Sequence, residues 1–229
     1  MEQVKLVLIL SGRGSDAASI LATHQEGKIP EVDEIILIST VEGAGECVKK
    51  FISIKMKVID YEATTYDNSL YFDNQVKLFL QENHIELVFA VGCIHLLPIL
   101  TGIDGYNIHP ADIEEHGGNT MYGLAVHQHA LNSIMDQIKR GRGNVNTQFF
   151  TKIVIHKIGK EYDKGNIFKI INIPIPTEIV LALHKKIATI EEAAKNLQKH
   201  VIQFEHIELP SAVRSAARII LERKEGKGV

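Results

Sequence analysis

Along the chain, short β-rich apolar runs alternate with longer stretches of helical period. "KLVLIL" (5–10), "EIILIST" (34–40), "MKVID" (56–60), "ELVFAV" (86–91) and "GYNIH" (105–109) are the strand candidates. "SDAASILATHQEG" (15–27) and "DNSLYFDNQVKLFLQEN" (67–83) lie between them with helical spacing. Runs that are apolar on both faces and separated by helices predict a parallel sheet with right-handed crossovers. Beyond residue 109 the pattern changes. A helix near 121–139 leads into "TQFFTKIVIHKI" (147–158) and "GNIFKIINIPI" (165–175), which read as a strand pair joined across "GKEYDKG". A closing helix, roughly 190–222, carries apolar Leu197, Val201, Phe204, Ile207 and Leu209. There is no internal repeat, low-complexity segment or long linker. The expected architecture is one α/β domain over 1–229, with a mostly parallel twisted sheet flanked by helices and an antiparallel C-terminal strand pair. Residues 1–110 form its Rossmann-like, nucleotide-binding part and 111–229 an elaborated C-terminal part.

Composition narrows the class. Over 229 residues, 45% apolar and 23% charged side chains give the balance of an ordinary globular protein. A net charge of −3 provides no general attraction to nucleic acid or to an anionic membrane. The segment "KRGRGNVN" (139–146), cationic and turn-rich, could still form a local basic patch. Cys47 and Cys93 stand far apart without a metal-binding spacing, which predicts a reduced, cytoplasmic setting. The apolar run of "MEQVKLVLIL" is too short for a signal peptide and lacks a small-residue cleavage site, so it reads as a first strand. No run approaches the roughly 18 apolar residues of a membrane span.

Three places could carry chemistry. The first strand runs into "SGRGSDA" (11–17), a glycine turn opening a helix, whose free N–H groups attract an anion. Gly12, Gly14 and Ala17 also satisfy the loose dinucleotide pattern, which calls for a ribose-binding acid at the end of the second strand. That strand ends instead in "STVEG", with Glu42 rather late, and a phosphate seat is favoured. Next, Asn107 and His109 alternate on a strand and project to one face, with Ile108 on the other. Pro110 stops the ladder there and is expected to leave the pair exposed at the carboxyl end of the sheet, where ligands bind. An amide can donate to a developing oxyanion, and an imidazole can hold a proton or a positive charge. A packed core histidine is the competing reading. Third, Asp163 sits in "EYDKG", ordinary turn chemistry unless the turn brings the carboxylate to His109.

The segments "SGRGSD", "NIHP", "MYGLAVHQHAL", "IVIHKIGKEYDKGNIF" and "FEHIELP" follow the order and approximate spacing of the folate-dependent formyltransferases. From about residue 4 to 222 the chain resembles that family, and within it the branch that formylates glycinamide ribonucleotide in purine synthesis. The resemblance implies a Rossmann-like formyltransferase fold and a formyl group drawn from 10-formyltetrahydrofolate. It implies Asn107, His109 and Asp163 as the catalytic trio, with His109 as an imidazolium whose pKa Asp163 raises. Gly12, Arg13, Gly14 and Ser15 would bind the acceptor's phosphate and Glu205 its ribose. In "VGCIHLLP" (91–98), Gly92, Ile94, His95 and Leu97 would cradle the pteridine, His95 replacing an arginine common there. "ADIEEHGGNTMYG" also departs from the usual continuation, with Asp112 and Glu114 adding acid beside His109.

Related activities share the same core. The chain is expected to lack room for the extra domains of the methionyl-tRNA enzyme and of formyltetrahydrofolate deformylase. An amino-sugar nucleotide as acceptor, or a non-enzymatic nucleotide-binding module, remain the alternatives. "HQH" (127–129) does not suggest a metal site, because helix residues two apart do not share a face. No metal is expected; the partners are small molecules, glycinamide ribonucleotide and a reduced folate, and the assembly is a monomer or homodimer. His156 reads as a packed histidine, although the resemblance puts it near the site. The pairs Phe149–Phe150 and Met121–Tyr122 read as core or pocket wall, and the charges of 222–227 as a solvated helix end.

Overall fold

A computed structural model describes residues 2–51, 53–59, 61, 66–97 and 102–226, without the side chains of 66–70. Asp60 and Pro98, at the ends of two segments singled out above, lie outside the described residues. Among the described residues, seven strands form one sheet in the order β3-β2-β1-β4-β5-β6-β7. They are β1 Val4–Leu10, β2 Val32–Ser39, β3 Met56–Val58, β4 Leu87–Ala90, β5 Asp104–His109, β6 Phe150–Lys157 and β7 Ile167–Pro174. The strands β3-β2-β1-β4-β5 pair in parallel, and β6 pairs antiparallel with β7. The sheet is therefore the mostly parallel one expected, with an antiparallel pair after it.

The chain forms two compact units. One comprises residues up to Ile108, Lys157–Lys160 and the chain from His206 onward; the other comprises His109–His156 and Glu161–Glu205. In the first unit, β1 is buried at every position but Lys5 because helices cover both of its faces. Helix α1 (Ser15–Gln25) joins β1 to β2, and α2 (Tyr66–Glu82) joins β3 to β4 in the opposite direction across the sheet. Right-handed crossovers running in opposite directions put the two helices on opposite faces. Val7, Ile9, Ile36, Ile38 and Val88 accordingly cluster with Phe72, Val76 and Leu80 of α2. Leu6, Leu8 and Leu10 alternate to the α1 side.

The second unit holds the β6–β7 hairpin and three helices: α3 (Ile113–His116), α4 (Leu124–Lys139) and α5 (Thr177–His184). It also takes the first part of the long closing helix α6 (Ile190–Gly226). Its core includes Val126, Leu131, Ile153, Ile155, Ile173, Val180, Leu197 and Val201. Helices α3 and α5 and the short 3-10 turn Glu46–Val48 have no counterpart in the sequence reading. Each is eight residues or fewer, too short to establish a period. Helix α6 continues through Pro210, whose missing N–H leaves the carbonyl of His206 without its helical partner.

Three expectations about side-chain placement need correction. Phe149 is buried, but Phe150 and Tyr122 are exposed, because adjacent residues entering β6 point to opposite faces and Tyr122 lies in the turn before α4. Ile207 is exposed, lying off the buried stripe that contains Leu197, Val201 and Leu209. The charged end of α6 is not simply solvated: Arg223 pairs with Asp104, and Lys224 with Glu86 at 2.7 Å.

Candidate functional site

In β5 the buried Tyr106 and Ile108 alternate with half-buried Asn107 and with His109. His109 is only 4% exposed, so the expectation of an open strand end is wrong. After Pro110 the chain folds back through α3. Asp112 caps that helix by accepting from the Glu114 N–H at 3.0 Å, and Lys152 of β6 hydrogen-bonds its other oxygen. Burial alone would raise the Asp112 carboxyl; Lys152 and the Glu114 N–H outweigh it and hold the group below its ordinary range. The acid beside His109 is thus a satisfied cap.

The fold-back brings two acceptors to one imidazole. Nε2 of His109 donates to the carbonyl oxygen of His116 at 2.8 Å, and Nδ1 faces Asp163 Oδ2 at 3.4 Å. A carbonyl only accepts, so Nε2 carries hydrogen and Nδ1 is the titrating position. Asp163 favours a proton there, as does the His116 carbonyl. Desolvation is the larger effect, and the His109 pKa lies below its ordinary value. The sequence-based expectation of a raised pKa is corrected accordingly: the carboxylate is present, but burial outweighs it.

Asp163 is itself held on several sides. It is 7% exposed, accepts from the Gly118 N–H at 2.9 Å, and has His156 Nε2 at 3.3 Å from its other oxygen. Burial would raise its pKa, but His156, His109 and the Gly118 N–H together lower it, so it stays ionised. Its φ of 54° is left-handed, which Asp tolerates better than most residues. His156 is therefore a partner of the carboxylate and more than a packed residue. It shares a face of β6 with Lys152, and the register of β6 on β7 slips between Ile155 and His156. Gly117 is sterically required, since a Cβ there would lie 2.4 Å from the Ile113 carbonyl oxygen and 3.1 Å from Asp163 Cβ. The "GG" in the sequence was the available signal for both glycines.

Glu205 belongs to the same unit and is 6% exposed. It occupies a helical stripe with Leu197, Val201 and Leu209, so a merely superficial carboxylate is ruled out. The sequence pointed to Glu205 only through the family resemblance; its i, i+4 spacing among apolar residues was an unused signal of burial. His127, on α4, is buried, its Nδ1 without a hydrogen-bond partner, whereas His129 is exposed. Among the described residues, no group of three or more His, Cys, Asp or Glu is arranged to hold a metal.

In the first unit, Gly14 caps α1 with φ 77°, and the N–H groups of the first turn are unused by the helix. The turn is backed by the N–H groups of Gly45 and Cys47, which donate to the carbonyls of Gly12 and Arg13 at 2.9 Å each. Gly12 and Arg13 are exposed and Ser15 half-buried; Arg13 pairs with Glu46 at 3.1 Å. Ser11 links this turn to the 92–97 loop. Its N–H donates to the Gly92 carbonyl at 3.2 Å, and its Oγ accepts from the Ile94 N–H at 3.2 Å. Ser11 also shares a 2.7 Å hydrogen bond with Thr40. At the end of β2, Ser39 and Thr40 are fully buried, so hydroxyls fill the place of a ribose-binding acid. Gly92 has open space at its Cβ position, Ile94 is 44% exposed, and His95 stacks on Tyr61 with ring centroids 3.8 Å apart. Leu97 is buried in the α2-side core, leaving its main chain as the part a ligand could reach.

This architecture is the fold seen in solved glycinamide ribonucleotide formyltransferases. Glycinamide ribonucleotide transformylase 1 from Symbiobacterium toebii aligns with a TM-score of 0.69 at 21% identity, over 94% of this chain and 88% of that one. The phosphoribosylglycinamide formyltransferase from Bacillus halodurans gives 0.66 at 22% identity, over 93% and 94%. The Coxiella burnetii phosphoribosylglycinamide formyltransferase gives 0.70 at 18%, over 95% and 88%. No family model matches the sequence, and no curated protein matches it significantly. Among the described residues, no helix is long and apolar enough to cross a membrane.

Proposed function

We propose that the protein transfers a formyl group from 10-formyltetrahydrofolate to the amine of glycinamide ribonucleotide, a step of purine synthesis. The observation that carries this reading is the buried imidazole of His109, held between the Asp163 carboxylate and a carbonyl at the end of β5. It occurs in a chain with the formyltransferase fold. In this reading 1–110 is the nucleotide-binding part and 111–229 the catalytic and folate-side part, and the enzyme is cytoplasmic.

The folate supplies an electrophilic formyl carbon that a primary amine can attack directly, so no protein nucleophile is required. Negative charge gathering on the formyl oxygen calls for fixed donors, and the Asn107 amide and His109 Nε2–H are the two available types. Nε2–H serves this role by exchanging the His116 carbonyl for the formyl oxygen. Burial keeps the resting ring below its ordinary pKa; Asp163 favours a proton taken up on Nδ1, so the ring can gain positive charge as the amine sheds its proton. The amine sheds one proton and the departing folate nitrogen takes one up, a relay that His109 and Asp163 are suited to. Gly12, Arg13, Gly14 and Ser15 would hold the acceptor phosphate at the α1 N-terminus. Glu205 would accept from ribose hydroxyls. Gly92, Ile94, His95 and the main chain of Leu97 would flank the pteridine.

The test is a formyl-transfer assay with glycinamide ribonucleotide beside an amino-sugar nucleotide, on wild type, Asn107→Ala and His109→Ala. Transfer to the ribonucleotide is expected, with kcat falling by about a hundredfold to a thousandfold when a donor is removed. Transfer only to the sugar nucleotide would change the acceptor. Binding of NAD(H) with no affinity for reduced folate would replace the enzyme by a nucleotide-binding module.

A further inference from the structure

Helix α4 has two stripes of opposite character. Val126, Ala130, Leu131 and Ile134 are buried, whereas His129, Asn132, Ser133, Asp136, Gln137 and Arg140 line a cavity of about 590 Å³. The spacing of this second set repeats at i, i+3, i+4, i+7, i+8 and i+11, so it forms one continuous polar face. The cavity is completed by Glu115 and His116, from the end of α3, and by Arg142. Arg142 comes from the "KRGRGN" segment, which the proposed chemistry leaves without a role. Its N–H donates to the Gln137 carbonyl at 2.9 Å, and the left-handed Gly141 (φ 71°) turns the chain so that both arginines border one cavity.

Charge and hydrogen bonding favour an anionic occupant. Among the described residues, no ion pair or hydrogen bond engages the guanidinium of Arg140 or Arg142, whereas each of the two lining carboxylates has a basic neighbour: Asp136 has Lys139 at 3.1 Å, and Glu115 has His116 Nε2 at 3.6 Å. Asn132, Ser133 and Gln137 add neutral donors. At the inner end, His116 Nδ1 and His129 Nδ1 lie 2.8 Å apart, a distance that requires one hydrogen between two nitrogens. Around His116 stand His129 from α4, Glu115 and Asp112 from its own segment, and His109 from β5. Burial and then His129 hold His116 below its ordinary pKa, against the two carboxylates.

We propose that this cavity is a second ligand site, for a phosphoryl group or a comparable compact dianion, clamped by Arg140 and Arg142 and strengthened when the His116–His129 pair takes up a proton from solvent. The occupant is free phosphate or the phosphoryl group of a small metabolite. The site is independent of the formyl-transfer reading and of the α1 phosphate seat. It also adjoins the candidate catalytic group, because the carbonyl of His116 accepts the hydrogen bond of His109.

Sulfate, which stays dianionic throughout, is titrated into wild-type protein between pH 7.5 and 5.5 and followed by imidazole and backbone-amide NMR. The His116 and His129 resonances should move. Affinity should rise as pH falls, by up to about tenfold per pH unit for one linked proton. The exposed pair Arg140→Gln/Arg142→Gln, with an unchanged amide spectrum elsewhere, should weaken binding at least about tenfold, the scale of losing charge-assisted bonds. Inorganic phosphate and glycerol phosphate are then compared: equal binding identifies the free anion, and tighter binding of the ester identifies a metabolite. Sulfate shifts confined to the amides of Gly14 and Ser15, or binding undiminished in the arginine variant, would overturn the proposal.

Discussion

His109 Nε2 and the carbonyl oxygen of His116 are joined by a 2.8 Å hydrogen bond, which fixes the hydrogen on that nitrogen and leaves Nδ1 to titrate against Asp163. Removing the carboxylate separates its electrostatic and backbone contributions. Asp163→Asn should lower the His109 pKa further, since Asp163 is the largest influence raising it. The change leaves His156 and the Gly118 N–H poorly matched and should cost on the order of 3–5 kcal/mol, the penalty of breaking a buried charged contact. Asp163→Ala should cost about 1–2 kcal/mol more, because alanine tolerates φ 54° less well than asparagine. Urea denaturation and imidazole NMR read the two effects.

Gly117 permits no side chain. Gly117→Ala would force apart the Ile113 carbonyl, 2.4 Å from the added Cβ, and the Asp163 side chain, 3.1 Å away. Turnover should fall to the level of the Asp163 variants, with a loss of at least about 1–3 kcal/mol of stability from overpacking. A variant with wild-type turnover would show that the 112–118 segment does not position the carboxylate.

At the α1 N-terminus, Gly14→Val meets a left-handed φ of 77°, and its branches extend beyond a Cβ already 3.5 Å from Gly45 Cα and Val48 Cγ1. Acceptor KM should rise sharply while binding of a reduced folate alone changes little. Equal weakening of both ligands would remove the turn from the phosphate role.

His127 supplies a pH signature. Burial, and then the neighbouring His109, lower its pKa to about 4. As pH falls below the unfolded value near 6.5, the unfolded chain takes up this proton first, so stability is full above that pH and declines towards about pH 4. The shift corresponds to about 3 kcal/mol. His127→Leu should flatten the fall of Tm over this window, whereas an unchanged slope would assign the dependence to other groups.

Much of the parallel sheet was legible because β1 to β5 carry their own signals: apolar runs with glycine turns and helical spacing between them. Asn107, His109 and Asp163 could be named from sequence, but the burial of His109 could not. The cover over it is built by Asp112, a four-residue helix and two glycines, a segment with no period to read. His156 looked like any inward residue of an alternating strand. Its position against Asp163 depends on the turn between β6 and β7, which brings together atoms distant in sequence. Glu205 was legible as a residue type and position, while its burial follows from the stripe of α6 that it shares with Leu197, Val201 and Leu209.

His116 serves its two neighbours with different parts of itself: the imidazole meets His129, and the main-chain oxygen meets His109. Substitution at this codon can erase the first contact without removing the atom that makes the second. Alanine scanning would therefore record only the side-chain contribution of position 116. The main-chain contribution answers to whatever moves the peptide plane, so drift in the neighbouring glycines and in Ile113 can retune His109 while residue 116 itself stays the same. Replacing the 116–117 amide with an ester, which weakens that carbonyl as an acceptor, would address the contact no codon change at 116 can remove.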